Sequence, residues 1–257
     1  MVETVGRGRI LMWEGGSLWL MDALPAAGGN AKSTDFHSHH AVQLTFSLGA
    51  RLQVRTRHQS ISSDCVVGAD VSHALEAVGF GAILFVEPES RAGRVIAHSL
   101  LGKTRLAPVP DGLVDDLIAE LKRACADVGE SNEFLIGIGR SLIARLSGGA
   151  ETELPDRRVQ NIIAQVASRL DDPMTLAAAA KSVDLSPGRL RHLFVEQTGL
   201  PFRTYLLWLR LTKAVAVFAA GGSLTEAAHQ AGFSDSAHFS RTFRRMFGLP
   251  AAALQLI

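Results

Sequence analysis

The chain has 257 residues, 47% of them hydrophobic and 20% charged, with a formal net charge of +1. That length accommodates two small domains with separate cores, and the composition excludes a disordered polyelectrolyte. No apolar run approaches the ~18 residues a spanning helix needs, and Glu14 and Gly15 interrupt the apolar stretch before any signal-peptide pattern develops, so a cytoplasmic protein without a membrane partner is expected.

Strands are predicted first. Short apolar stretches at 10–13, 18–21, 42–48, 52–56, 71–78 and 82–86 are separated by Gly, Asp, Ser and Pro, the pattern of a small β-barrel or sandwich. Val42, Leu44, Phe46 and Leu48 alternate with Gln43, Thr45 and Ser47, so the two sets face opposite ways. The alternation does not say which set faces inward. Just ahead of it stands FHSHHAVQL: His37, His39 and Gln43 share a face by parity, and His73 opens a later strand. His-x-His on a strand aims both imidazoles the same way, as a metal ion requires. The alternative is that these residues satisfy buried backbone groups or line an effector pocket. Arg51, Arg55 and Arg57 share a strand face and form either a clamp for an anion or a solvated surface. Cys65 and Cys125 are too few for a disulfide framework or a zinc finger and read as inert core thiols.

Two amphipathic helices follow. Residues 111–127 carry Leu113, Leu117 and Leu121 at four-residue spacing, and 134–146 repeat the theme with Leu135, Ile138, Leu142 and Leu146. They cap the open end of a barrel or offer a homodimer surface. Residues 147–155, SGGAETELP, read as a linker. Up to Glu153 the chain has a net charge of −4, and beyond it +5. A basic half joined to an acidic one suggests nucleic acid as the partner of the basic half.

Everything beyond the linker is predicted helical, with two similar units. In TLAAAAKSVDLSPGRLRHLF, Thr175 caps a small-residue helix, and Ser186 with Pro187 opens a second one. That second helix buries Leu190, Leu193 and Phe194 and turns Gly188, Arg191, His192 and Val195 outward. In SLTEAAHQAGFSDSAHFSRTFRRMFG, Ser223 and Glu226 form a capping box, Gly232 ends the helix and Ser234 caps the next. There Phe239, Phe243, Met246 and Phe247 are predicted to be buried, across from Ala237, His238, Arg241, Arg244 and Arg245. The segment 202–220 between the units is apolar nearly all round and reads as a buried spacer. A helix with donors on one face and a core on the other suits the major groove. Arg191 and Arg241 reach guanine edges or phosphate; Arg244 and Arg245, a turn further along, suit phosphate.

The stretch AGFSDSAHFSRTFRRMFGLP resembles the signature of AraC/XylS-family transcription regulators, and LAAAAKSVDLSPGRLRHLFVEQTGLPFRTYL resembles that family's first helix-turn-helix. The resemblance implies base-facing positions at Gly188, Arg191 and His192, then Ser236, Ala237, His238 and Arg241. Gly188 and Ala237 have no reach, and AAALQLI replaces a tail that commonly contains Tyr-Arg, removing one phosphate contact. The N-terminal half resembles the cupin-like barrel that precedes the DNA-binding domain in many such regulators. In metal-binding cupins, His-x-His, a nearby carboxylate and a later His hold the ion; here Gln43 stands for the carboxylate, which weakens a metal reading of His37, His39 and His73.

The expected class is therefore α+β. A cupin-like sensory or dimerisation domain occupies 1–146, with its barrel over about 1–105 and helices over about 111–146 by strand and helix pattern. The linker is 147–155 and an AraC-type DNA-binding domain fills 156–257. The expected function is sequence-specific regulation of transcription. Partners are double-stranded DNA, RNA polymerase by family analogy, and an unidentified small-molecule effector; no cofactor is required. A barrel that only dimerises or binds a protein is the alternative. A metal-dependent cupin enzyme is the remaining one, since no P-loop, nucleophile elbow, zincin or dinucleotide motif occurs.

Overall fold

The computed structural model describes every residue except 1–3, 27, 127–129, 149–153, 171 and 173. Most of the expected linker lies outside the described residues. Contacts divide the chain into two compact units: Met1–Thr152 together with Ser240–Ile257, and Glu153–Phe239. The sequence reading had placed residues 240–257 with the DNA-binding domain. By their contacts they cluster with the first unit.

The strands of the first unit are β1 (Gly6–Trp13), β2 (Gly16–Ala23), β3 (Lys32–Ser33), β4 (Val42–Ser47), β5 (Arg51–Arg55), β6 (Ser60–Ile61), β7 (Cys65–Val67), β8 (Ala74–Val86), β9 (Leu106–Pro108) and β10 (Leu254–Leu256). Their order is β10-β1-β2-β8-β4-β7-β9, with β3 and β5 also on β8 and β6 on β5. The path runs from β10 to β9 without closing, so the cupin-like barrel is an open one. The stretches 71–78 and 82–86, predicted as two strands, lie largely on one. β8 pairs with β5 from Ala74 to Val78, and with β2 from Gly79 to Val86. Gly79, at φ +95°, is where it swings from one sheet to the other, a turn few residues with a Cβ tolerate.

Helix α1 (Arg91–Ile96) continues into a π-helical turn at Ala97–Leu101, and α2 (Asp115–Ala126) and α3 (Asn132–Leu146) follow. Sequence reading missed α1, β7 and β9. Leu117, Leu121, Leu135, Ile138, Leu142 and Leu146 share one core with Leu18, Val42, Leu44, Phe46 and Leu84. The leucine stripes are thus covered by the unit's own sheet. This also assigns the faces of β4: Val42, Leu44 and Phe46 point to the helices, Gln43 to the histidines described below.

The second unit contains α4 (Arg157–Ala167), α5 (Leu176–Lys181), α6 (Pro187–Thr198), α7 (Phe202–Ala219), α8 (Leu224–Gln230) and the start of α9 (Ser236–Phe247). Thr175 and Ser186 accept hydrogen bonds from the backbone N–H groups of Ala178 and Arg189, at 3.1 and 3.2 Å, and Ser223 and Glu226 complete a capping box. Asp235, rather than Ser234, caps α9: its Oδ1 accepts from the His238 N–H at 2.6 Å. A carboxylate at that position also favours the positive end of the helix dipole. Helix α7 buries Phe202, Tyr205, Trp208, Leu211, Ala214 and Val215, while Leu206, Leu207 and Phe218 are only half-buried, so it is not buried all round. The all-helical expectation fails at the C-terminus, where β10 pairs in parallel with β1. Among the described residues no helix is long and apolar enough to cross a membrane.

Burial, reinforced by the charge of Asp64, pushes the Cys65 thiol up to about 12, and burial raises Cys125 less far. Because the thiolate is the reactive form, a pH 8 titration with a disulfide reagent should leave Cys65 unmodified in the folded protein. Cys125, half-buried, should react slowly, and both should react at once after denaturation. Modification of native Cys65 as fast as Cys125 would contradict the burial.

Candidate nucleic-acid interface and ligand cavity

Both second helices of the two units have the two-faced character that groove binding needs. In α6, Leu190, Leu193 and Phe194 are buried while Gly188, Arg191 and His192 are exposed. A Cβ built on Gly188 would meet nothing within 4 Å, so that position is open but contributes no side chain. In α9, Phe239 and Phe243 are fully buried and Phe247 nearly so. Ala237, Arg241 and Arg245 are exposed on the other side, and Arg244 is exposed at its margin next to Phe247. Ser236 and His238 are half-buried. The His238 ring lies edge-on to Phe233 at 5.1 Å, and its Nδ1 is 3.3 Å from the Ser234 hydroxyl. Met246, predicted to be buried, is half-buried because it falls between the phenylalanine face and the arginine face.

The second half of α9 is anchored in the first unit. Trp19 lies 4.9 Å from Phe247 and 6.3 Å from Phe243, and Phe85 meets Trp19 edge-on at 5.3 Å. Such contacts contribute ~0.5–1.5 kcal/mol per pair beyond their area burial. The helix terminus is also fixed by polar contacts. Arg244 donates from Nε and Nη2 to Asp35 Oδ2 at 3.0 and 2.9 Å, and the Asp35 N–H donates to the Gly248 carbonyl at 2.8 Å. The sequence reading gave Arg244 to phosphate; here its guanidinium sits on a carboxylate. Gly248 takes φ +73° to end the helix, and a Cβ there would stand 2.5 Å from both the Asp35 carbonyl oxygen and His37 Nδ1. Beyond it the tail is committed to the sheet: the Val5 N–H donates to Ala253 O at 2.8 Å and the Ile257 N–H to Gly8 O at 3.0 Å.

His37, His39, Gln43 and His73 do converge. His37 and His73 exchange both backbone hydrogen bonds, each at 2.9 Å, which brings two segments far apart in sequence side by side. Their ring centroids are 4.3 Å apart, with His39 at 5.8 and 5.1 Å. One ring nitrogen from each of the three lies within 4.8 Å of the others. Gln43 Oε1 is 2.9 Å from His39 Nε2 and 3.2 Å from His73 Nε2, and Gln43 Nε2 donates to Thr45 Oγ1 at 3.0 Å. All four residues are buried. Burial favours the neutral ring, holding His37 low, His39 well below the usual range, and His73 down to about 4.

His40, which the sequence reading passed over, lies apart from the three. Its Nδ1 donates to Asp70 at 2.7 Å and its Nε2 faces Glu89. Burial opposes its charge, but these carboxylates outweigh that and raise it to about 9. The pairing partners lie 30 and 49 residues away, too far for a local pattern to reveal.

A cavity of about 470 Å³ opens beside the histidines, within the same unit. Trp19, Met21, Ile83, Phe85, Phe247 and Leu254 give it apolar walls. Lys32, Ser33, Thr34, Asp35, His37, Gln43 and Arg244 are the polar residues on its lining. The arginine set on β5 is elsewhere and exposed: Arg55 lies over the Phe36 ring at 5.4 Å, and Arg57 is in the turn beyond the strand.

Residues 179–255 match the family described as a helix-turn-helix domain. The chain is 37% identical over 91 residues to the HTH-type transcriptional activator RhaS of Escherichia coli, covering 35% of this chain and 33% of RhaS. It is 34% identical over 124 residues to YidL, an uncharacterized HTH-type transcriptional regulator of Escherichia coli, covering 48% of this chain and 42% of YidL. The chain thus spans less than half the length of these curated relatives. Among solved structures, an apo ToxT variant from Vibrio cholerae has a TM-score of 0.62 at 14% identity, over 93% of this chain and 96% of ToxT. Wild-type ToxT with an unsaturated fatty acid bound has a TM-score of 0.55 at 13% identity, over 93% and 95%. The likeness to ToxT is one of fold. The chain carries a C-terminal helix-turn-helix domain of the AraC type.

The seat of α9 can be tested at its terminal glycine. Gly221 has φ +90° in open space, whereas Gly248 has φ +73° against Asp35 and His37. Replacing either by Ala costs about 1 kcal/mol for the backbone alone. Gly248→Ala should lose at least a further ~1–2 kcal/mol to overpacking in urea unfolding. Equal losses in the two variants would mean that Gly248 is not clamped.

Proposed function

We propose that the chain is a sequence-specific, DNA-binding regulator of transcription whose N-terminal unit responds to a small molecule. The single observation that carries this is the pair of two-faced helices α6 and α9, each opened by a polar cap and preceded by a short alanine-rich helix. Each offers arginine donors opposite a buried apolar face. Arg191 and His192 on α6 and Arg241 on α9 are assigned to base edges, with the exposed parts of Ser236 and His238 beside them. Arg245 is assigned to phosphate. Gly188 and Ala237 admit close approach of the duplex without reading it.

The cavity is assigned to the effector. Apolar walls, with Lys32 on the lining in addition to the paired Asp35 and Arg244, favour an amphipathic anion of modest size, in keeping with the fatty acid held by ToxT. Such a ligand would touch Phe247 and Arg244 as well as the strands. It therefore has differential contacts with which to shift the populations of α9, as any effector must. The regulator acts in the cytoplasm, as a homodimer, by recruiting or obstructing RNA polymerase.

Duplexes selected from a random library provide the test. Arg241→Ala should relax preference at one base pair and cost about 1–3 kcal/mol. Arg245→Ala should weaken all duplexes alike and reduce the salt slope by about one phosphate. Arg244→Ala should change that slope less, because Asp35 already occupies its guanidinium. Failure of any selected duplex to outcompete random DNA would overturn the reading.

A further inference from the structure

We infer that Val195 is a specificity-determining residue of α6: it meets the 5-methyl group of a thymine in the major groove. This rests on the reading of α6 as a groove-binding helix and adds an apolar contact to the polar ones assigned above to Arg191 and His192.

Val195 is 39% exposed. Among the described residues the other exposed large hydrophobics are Phe36, Phe134, Leu154 and Ile257, so Val195 is the one that stands on a second helix of either unit. A lone exposed aliphatic side chain is ordinary on a protein surface; what distinguishes this one is its place. Successive residues turn about 100° around a helix, which sets Val195 about 20° from the direction of Gly188, between Arg191 on one side and His192 on the other. All three of those neighbours are exposed. Gly188 carries no side chain, and a Cβ there would meet nothing within 4 Å, so that end of the line does not hold a duplex away from Val195.

The valine is also held still. Next to it Phe194 is fully buried and lies edge-on to Phe202 and Tyr205, each at 5.3 Å. The Val195 carbonyl accepts from the Gly199 N–H at 2.8 Å, where Gly199 at φ +78° closes the helix. A β-branched side chain in a helix keeps essentially one χ1 rotamer. Its two methyl groups therefore present a fixed apolar surface with little rotamer freedom to lose on binding.

Chemistry selects the partner. Valine has neither donor nor acceptor, and of the four bases thymine alone offers the major groove a methyl group. Against the polar edge of another base, water would be displaced with no hydrogen bond in return. Phosphate is excluded on the same ground, and Glu196, exposed at the next position, repels it. Along the helix axis Val195 lies about 4.5 Å beyond His192 and about 6 Å beyond Arg191, against a base-pair step of about 3.4 Å. The thymine is thus placed one or two base pairs from the base that Arg191 reads.

The test uses the full-length protein and a duplex selected from a random library, with each thymine replaced in turn by uracil, which deletes only the 5-methyl group. The expected result is one thymine whose replacement weakens wild-type binding about fourfold, the worth of one buried methyl group. It should lie within two base pairs of the position whose preference Arg191→Ala relaxes. Val195→Ala should bind the thymine duplex more weakly by a similar factor and lose most of the uracil penalty at that position. Its Tm should be no lower than that of wild type, because the side chain is exposed and alanine is the better helix former. Uracil penalties that are the same in wild type and Val195→Ala at every thymine would overturn the role of Val195 while leaving DNA binding intact. Failure of every duplex to outcompete random DNA would overturn both.

Discussion

The packing of Phe243 and Phe247 on Trp19 is the constraint on which the first unit depends. Removing an aromatic side chain from such a cluster costs about 3–5 kcal/mol, a large share of a typical domain's stability. The cluster needs those phenylalanines at i and i+4, and the same spacing puts Arg241 and Arg245 on the far side of α9, with Arg244 beside Phe247 at the cavity. One helix therefore serves as a wall of a cavity and as a rack of cationic donors. Its sequence cannot drift on either side without loss to one role.

The polar contacts around this cluster are individually weak. The Asp35–Arg244 pair is well exposed on both sides, so it contributes a fraction of a kcal/mol in water and less in salt. Its value is positional. Together with the backbone bond from Asp35 to Gly248 and the parallel pairing of β10 on β1, it fixes where α9 stops. His37 stands two residues beyond Asp35 and takes its place in the histidine cluster by pairing with His73. Cavity, clamp and histidines are thus neighbours through a stretch of three residues.

Where contacts are local, the amino-acid sequence was sufficient. Thr175, Ser186 with Pro187, and the Ser223–Glu226 box cap the helices they were expected to cap, because each bond spans three residues. Asp235 displaced Ser234 as the cap of α9 since two adjacent residues both had capping chemistry and pattern alone could not rank them. The leucine spacing of α2 and α3 was legible, but which surface it covered was not. Long-range pairing was missed altogether. AAALQLI reads as helix former; Ala251–Ala253 do form a 3-10 turn, but Leu254–Leu256 become a strand on the edge that β1 offers. The fused strand β8 escaped because Gly79 looks like a terminator when it is a bend. For the site, parity gathered His37, His39 and Gln43, and His73 was included by residue type. Their actual meeting depends on the His37–His73 bridge and on a turn, neither of which has a local signature. The Asp35–Arg244 pair, 209 residues apart, had none either.

Hydrogen exchange along α9 tests most directly whether its second half is anchored by the aromatic cluster. In Trp19→Ala, amides of residues 243–248 should exchange at least ~10-fold faster than in wild type, while those of α4 to α7 keep their protection. Unchanged protection over 243–248 in a folded Trp19→Ala protein would contradict the account.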